Sequence, residues 1–178
     1  MVSSQQHLIL NKNQVKQKIK RIAFEIYENN FDEQELIFAG ILNKGYLFAL
    51  EVQSEFCKIS PVKTTLFKVF VDKKAPLQSD IKITGGHDKN GNEYDHLINN
   101  KSIVLCDDVL NTGRTMAYCL KPFLNAEIKK IQIAVLVDRD HRNFPVSADY
   151  VGYSLSTTIK EHIEVIMDDK DKFGVYLH

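Results

Sequence analysis

Two adjacent carboxylates, Asp107 and Asp108, follow the aliphatic run Ile103-Val104-Leu105-Cys106 and precede Val109-Leu110-Asn111-Thr112-Gly113-Arg114-Thr115-Met116. An aliphatic strand that ends in acids delivers them to the carboxyl edge of a sheet, where open α/β folds bind their ligands. Residues 111–115 then form a small-residue turn at the start of a helix, whose unpaired backbone N–H groups and positive dipole end suit a phosphate. Gly113 lets the backbone come close to that anion. Carboxylates alone repel phosphate, but beside such a cradle they can accept hydrogen bonds from sugar hydroxyls or hold a divalent cation. A phosphorylated sugar satisfies both halves. The plainer reading is a strand, a turn and a helix N-cap, and spacing alone does not separate the two.

Other candidate chemistry is weaker. A P-loop is rejected, because Asp108 stands where the first glycine before Gly113-Arg114-Thr115 belongs, and Gly45 is followed by Tyr46 instead of lysine. His141, between Asp140 and Arg142, has the chemistry of a general acid or base, yet no partner is visible and a structural or surface role is favoured. Cys57, Cys106 and Cys119 are odd in number and form no CxxC pair, which argues against a disulfide framework or a zinc site. All three are expected to be buried and inert.

The elements that must position these residues follow from hydrophobic periodicity. Val15, Ile19, Ile22, Ala23 and Ile26 recur at helical spacing across residues 14–30. Residues 36–41 form a short apolar run ending near Gly40, and residues 46–52 after Gly45 are apolar enough for a buried helix. The same strand, glycine loop and helix return at 103–106, Gly113 and 115–124, with Pro122 breaking or kinking the second helix near its end. Residues 131–137 are almost unbroken and β-branched, as in a strand covered on both faces. Weaker strand candidates are 64–71, 150–152, 162–166 and 175–177. Residues 72–101 are polar and contain Gly85, Gly86 and the turn signal Asn90-Gly91; composition alone does not separate a disordered insertion from a mobile functional loop, the turn signal fits a hairpin flap, and little core is expected there. The expectation is a single α/β domain over residues 1–178, with a central, mainly parallel sheet, a flap and a small C-terminal hood of strands after Val146.

Composition bounds the function. The chain has 178 residues, 44% of them hydrophobic and 26% charged, which fits one ordinary domain and excludes wholesale disorder. Lys plus Arg number 23 against 23 Asp plus Glu, so an acidic polymer or membrane surface would have to be met by a local patch. No apolar run reaches the roughly 18 residues of a membrane span. The opening residues lack a leader pattern, and a cytoplasmic protein is expected. Lys12, Lys16 and Lys20 share one helix face near Lys18 and Arg21, a possible small RNA patch, although a solvated face is the simpler reading. Phe67, Phe70, Phe123 and Phe144 are read as core or subunit-contact residues.

Residues 104–116 resemble the 13-residue 5-phosphoribosyl-1-pyrophosphate (PRPP) motif of type I phosphoribosyltransferases, in which hydrophobic residues precede two acids and a Thr-Gly-x-Thr loop. The likeness extends to Arg21-Ile22-Ala23, residues 40–45, residues 136–142 with Pro145, Ala148-Asp149-Tyr150-Val151-Gly152 and Gly174-Val175-Tyr176-Leu177. Those stretches are similar to the PyrR-type pyrimidine operon regulator/uracil phosphoribosyltransferase family. The resemblance implies the type I phosphoribosyltransferase fold, and transfer of a phosphoribosyl group from PRPP to a nucleobase, with Mg²⁺. Asp107 and Asp108 would then hold the ribose hydroxyls and, directly or through PRPP or water, the metal. Asn111, Thr112, Gly113, Arg114 and Thr115 would hold the 5′-phosphate, and Asn43, Lys44 and Gly45 the pyrophosphate. Lys44 and Arg139 would offset charge on the leaving group, while Val137, Asp138, Arg139, Tyr150, Val151 and Tyr153 would surround the base.

It further implies a flap that excludes water and a homodimer or larger assembly. Uracil is the expected base. The alternatives are a purine transferase and a non-catalytic or weakly catalytic regulator that responds to PRPP or a nucleotide and binds RNA. The chain departs from the family at four places. The family's Thr-Arg-Gly loop reads Asn43-Lys44-Gly45, exchanging a planar bidentate cation for a point charge. Its Leu-Tyr-Arg-Asp-Asp reads Leu66-Phe67-Lys68-Val69-Phe70, Asn111 replaces an aromatic residue, and Tyr153 replaces a lysine.

Overall fold

Successive side chains of a strand point to opposite faces, so an unbroken aliphatic strand needs cover on both. The computed structural model describes residues 6–72, 74, 81–85, 95–156 and 161–178. In chain order these form β1 (His7–Asn11), α1 (Lys12–Glu28), β2 (Glu35–Ile41), α2 (Lys44–Ile59), β3 (Lys63–Phe70), β4 (Lys82–Gly85) and α3 (Asp95–Ile98). They continue through β5 (Ser102–Leu110), α4 (Arg114–Leu124), β6 (Lys130–Asp138), β7 (Tyr150–Ser154), β8 (Ile163–Ile166) and β9 (Gly174–Leu177). Leu36 and Phe38 of β2, Val104 and Cys106 of β5, and Ala134 and Leu136 of β6 join one core, which also contains the buried faces of α1 and α2. Their alternates Ile37, Ala39, Ile103, Leu105, Ile133 and Val135 join a second core with Met116, Cys119 and Phe123 of α4.

The six-stranded sheet has the order β4-β3-β2-β5-β6-β7. It is parallel apart from β4, which runs antiparallel to β3. This is the α/β architecture expected, with a mostly parallel sheet between helices. Register decides where a site can form. Gly40 of β2 lies opposite Cys106 of β5, and Leu110 of β5 opposite Asp138 of β6. The segments leaving all three strands therefore emerge along one carboxyl edge.

Helix α1 begins one turn earlier than its apolar pattern, because Asn11 and Gln14 form a capping box: the Gln14 N–H donates to Asn11 Oδ1 at 3.0 Å and the Asn11 N–H to Gln14 Oε1 at 2.9 Å. Helix α2 starts at Lys44 and runs to Ile59, well past the expected 46–52, and its buried stripe continues to Phe56. Pro122 lies inside the last turn of α4, which ends two residues later.

Four expectations are corrected. The hood is not built from the strands after Val146 alone: β7 pairs in parallel with β6 in the main sheet, and the hood is an antiparallel β1-β9-β8 sheet that includes the N-terminal strand. As the sheet's last strand, β7 has carbonyls free of a further ladder. The Arg21 guanidinium on α1 donates to those of Val151 and Gly152, the latter at 3.0 Å. The polar 72–101 segment does feed the core, since Ile83 is 8% exposed and Ile98 fully buried. Gly86 and the Asn90-Gly91 turn signal lie outside the described residues. Strand β5 continues through both acids to Leu110, where the sequence placed its end at Cys106. Cys57 is exposed, whereas Cys106 and Cys119 are buried.

Candidate active site

Extension of β5 through Leu110 seats the two acids inside the sheet, beneath its carboxyl edge, and they are 4% (Asp107) and 8% (Asp108) exposed. The Asp108 N–H donates to Asp107 Oδ1 at 3.0 Å, which fixes the first carboxylate against the backbone. Both acids line a crevice of about 330 Å³, together with Asn111, Thr112, Gly113, Arg114 and Thr115 and with Lys44. Arg139, just after β6, completes it from the third strand.

Glycine is required at two of these positions. At Gly45 a Cβ would lie 2.7 Å from Asp107 Oδ1 and 2.9 Å from Asp107 Cα, so any side chain would collide with the acid that the site needs. Gly113 has φ +81°, left-handed backbone that glycine adopts without strain, and it is the N-cap of α4. With no capping side chain there, the first amides of α4 are left for a ligand, apart from that of Arg114, which donates to Thr112 Oγ1 at 3.3 Å.

Arg142 was not among the expected site residues, yet it braces the phosphate-type loop. Its Nη1 donates to the Asn111 carbonyl at 2.6 Å, its Nε to the Val146 carbonyl at 2.9 Å, and its Nη2 is paired with Asp138 Oδ1. The Asn143 and Phe144 amides both donate to the Thr112 carbonyl, at 2.9 and 3.1 Å, and the Arg139 amide donates to the Leu110 carbonyl at 2.9 Å. Residues 139–146 thus form a backing strap for residues 110–113. His162 and Ile163 of the hood, and Met116, also line the crevice. The two hood residues were not expected there, because nothing local links a short strand near the C-terminus to an acid pair more than 50 positions earlier, whereas Met116 closes the 104–116 stretch already singled out.

The remaining expected residues fall elsewhere. Asn43 lines a neighbouring hollow of about 370 Å³ with Leu42, Phe70, Val71 and Asp72, and the Leu42–Asn43 peptide is cis. Lys68 Nζ sits 4.6 Å from the centroid of the Tyr46 ring, tying β3 to the first turn of α2. Val137, expected at the base, is fully buried, backbone included, between β5 and β7 and offers a ligand no surface, and the Asp138 carboxylate accepts from Arg142 and from the Asp140 amide. The Val151 carbonyl is taken by Arg21, and the half-buried Tyr153 ring has Lys18 Nζ 5.9 Å from its centroid. Tyr150 is not brought to the crevice. It lies opposite Ala134, four residues before the Asp138 level, a distance of roughly 13 Å along a strand. Burial there, among Asn30 and Gln132, pushes its hydroxyl up to about 12. His141 is half-buried and does not line the crevice.

Among the described residues, no cluster of three or more His, Cys, Asp or Glu side chains is assembled. The Asp107/Asp108 pair nevertheless has the chemistry of a Mg²⁺ site shared with a substrate: hard carboxylate oxygens, few in number, with room beside them for phosphate oxygens and water. The electrostatics of the rim are set by an ion pair. Lys44 Nζ is 3.4 Å from Glu164 Oε1, and Glu164 Oε2 is 3.0 Å from His178 Nε2. Burial raises the affinity of Glu164 for a proton, but the Lys44 charge and the bonds from Lys44 and His178 outweigh it and hold the carboxyl below its ordinary value. Cys106 goes the other way, its thiol pushed far up by complete burial and by the Asp107 charge, so it is no nucleophile. No described helix is long and apolar enough to cross a membrane.

Comparison with known proteins agrees with this geometry. Residues 5–170 match the family described as the phosphoribosyl transferase domain. The chain is similar to the "Bifunctional protein PyrR" of Caldicellulosiruptor bescii, with 37% identity over 92% of this chain and 89% of the relative. It is 34% identical to the protein of the same name from Macrococcus caseolyticus, over 96% of this chain and 97% of that one. In fold it is similar to a hypoxanthine-guanine phosphoribosyltransferase from Bacillus anthracis, with a TM-score of 0.69 at 18% identity, covering 97% and 98% of the two chains. It is likewise similar to the hypoxanthine phosphoribosyltransferase of Trypanosoma cruzi, with a TM-score of 0.72 at 15% identity over 96% and 94%. A family match over almost the whole chain, PyrR relatives of equal length and a type I fold around one acid-and-phosphate-loop crevice lead to one conclusion: the chain belongs to the phosphoribosyltransferase family.

Proposed function

We propose that the protein transfers the phosphoribosyl group of PRPP to a free nucleobase, uracil first among them, releasing pyrophosphate. The observation that carries this reading is the convergence of Asp107, Asp108 and the 111–115 loop in one crevice that Lys44 also lines. The α4 amides and the Thr112 and Thr115 hydroxyls bind the 5′-phosphate, and Arg142 with residues 139–146 holds that loop in place. The buried acids accept from the ribose hydroxyls and orient the ring. As the bond to pyrophosphate breaks, positive charge grows on the ribose and negative charge on the leaving group. Carboxylates beneath the ring favour the first, and Lys44 and Arg139 the second. Mg²⁺, held by Asp107 and Asp108 together with substrate oxygens, would supply further charge neutralisation on pyrophosphate. Bases are read between the ends of β6 and β7, with Arg139 and the ring of Tyr153 as the proposed contacts.

The test is pyrophosphate release from PRPP with Mg²⁺ across uracil, hypoxanthine, guanine, adenine and xanthine. One base should be active, with Asp107→Asn and Asp108→Asn each lowering kcat/KM by about 100-fold or more, the scale of a lost charge-stabilising group. Chelation of Mg²⁺ should remove activity. Turnover with hypoxanthine or guanine in place of uracil would make it a purine transferase, and silence with every base in folded protein would sink the enzymatic reading. We further propose a homodimer or larger, to be checked by sedimentation.

A second reading, an RNA-binding regulator, is supported by the face of α1. Lys12, Lys16 and Lys20 are exposed there, and Lys12 and Lys18 lie against the Phe173 and Tyr153 rings. Changing Lys12, Lys16 and Lys20 together to Glu should weaken RNA binding and flatten its salt dependence by about two units of slope, roughly 0.7 per neutralised phosphate on a single strand. Unaltered affinity would remove this reading.

A further inference from the structure

The Lys44 ammonium, the cation expected to grip pyrophosphate, is already engaged by a carboxylate from another part of the fold. Glu164 projects from β8 of the hood, next to His162 and Ile163, which line the crevice. Its Oε1 lies 3.4 Å from Lys44 Nζ, looser than the ~2.7–2.9 Å of a strong charge-assisted bond. Both side chains are part-exposed, 40% for Lys44 and 37% for Glu164, so the pair can exchange partners without any repacking of the core. Its other oxygen is 3.0 Å from His178 Nε2. His178 is itself fixed, because its backbone N–H and C=O pair with those of His162 at 2.9 and 3.0 Å. Glu164 therefore keeps a partner when Lys44 leaves it.

We propose that Glu164 is a positioning residue that competes with the substrate's pyrophosphate for Lys44 and so sets how tightly the site holds that group. The inference rests on the phosphoribosyltransferase reading above and deepens it. A polyanion entering the crevice must displace the carboxylate from Lys44 and then tolerate its negative charge nearby. Binding is weakened, and a multiply charged ligand, which offers Lys44 more than one oxygen, competes better than a singly charged anion. The same competition acts on the product: Glu164 retakes Lys44 as pyrophosphate leaves, which speeds release. The hood thereby adjusts the share of that affinity that Lys44 contributes.

Titration calorimetry of inorganic pyrophosphate and of PRPP, each with Mg²⁺, into the full-length wild type, Glu164→Gln, Lys44→Ala and the Lys44→Ala/Glu164→Gln double variant tests this. Glu164→Gln should bind pyrophosphate roughly fivefold tighter, the scale of one exposed ion pair, with KM for PRPP falling in step and kcat unchanged or lower as release slows. In the Lys44→Ala background the Glu164→Gln change should lose most of that effect, which a merely structural role for the hood contact would not produce. Glu164→Ala serves as a second variant, expected to match Gln. Equal or weaker pyrophosphate binding by the folded Glu164 variants overturns this inference while leaving the transferase reading intact. Unfolding of both Glu164 variants overturns it too, since Glu164 would then be structural. Wild-type protein that binds neither probe overturns both.

Discussion

At Gly45 two physical effects act in opposite directions, and their magnitudes decide. A glycine in the first turn of α2 ordinarily loses about 1 kcal/mol to alanine through backbone entropy. Here the added methyl would sit 2.7 Å from Asp107 Oδ1 and 3.0 Å from the Cys106 carbonyl oxygen, in backbone that cannot move aside. Overpacking of that kind costs about 1–3 kcal/mol, so Gly45→Ala should lower the melting temperature despite the better helix former. Because the collision falls on the Asp107 carboxylate, PRPP affinity should drop as well, by about tenfold in calorimetry. A variant with raised stability and unchanged affinity would show that the acid has room to shift. The acid pair and the glycine loop were legible in the sequence because their residues are contiguous and their chemistry is written in residue type. Arg142, His162 and Glu164 were not, since each acts on the site from a strand or loop distant in sequence, and neither residue type nor local pattern links an arginine, a histidine and a glutamate there to the acid pair.

Elements with a complete pattern were recognised, though not to their full length in β5 and α2, and β1 and β4 were missed. The apolar stripe of α1 and the two-faced runs of β2, β5 and β6 are long enough to declare their period. In β1 just one of five residues, Leu10, is buried, so alternation never develops, and β4 likewise buries Ile83 alone. Partnerships with β9 and β3 create those strands, and no local signal could have announced them. Charge pairing at the sheet's amino edge gives a test of such long-range ties. Glu33 follows α1 with its side chain 8% exposed. It accepts from Ser102 Oγ at 2.7 Å at the start of β5 and from Lys129 Nζ at 2.9 Å just before β6. Burial opposes its ionisation, but those hydrogen bonds and the charges of Lys129 and Lys130 prevail and lower its affinity for a proton. A carboxyl depressed in the folded state stabilises the fold above its unfolded value of 4.5, and that stabilisation is lost as pH falls through the folded value. Glu33→Gln should therefore cost about 1–2 kcal/mol at pH 7, and the difference from wild type should shrink below pH 4.5. Urea unfolding at several pH values measures it, and a gap that widens toward low pH would reverse the assigned sign.

For the whole molecule the question is whether one sheet with two cores behaves as one folding unit, as we propose for residues 1–178. Phe38 of β2 and Phe67 of β3 lie on neighbouring paired strands but point to opposite faces, and both are fully buried. The first packs against Phe56 of α2, their ring centroids 5.5 Å apart, in the core that α1, α2 and the hood share. The second joins the α4 side. Truncating either to alanine removes a large buried ring and leaves a cavity, at about 3–5 kcal/mol each. The strands that carry them are shared by both cores, so loss of packing on one face must loosen the sheet that the other face needs. Phe38→Ala and Phe67→Ala should each shift a single cooperative urea transition to lower midpoint with an unchanged slope, and far-ultraviolet and near-ultraviolet dichroism should coincide. The crevice provides an independent readout, because its walls come from α2, β5, the start of α4, Arg139 after β6 and the hood together. PRPP with Mg²⁺ should raise the midpoint of both variants by the same increment, since ligand linkage depends on the folded site and not on which core was weakened. A two-step transition in one variant, with ligand protecting just one step, would divide the molecule into separately folding halves and place the site on one of them.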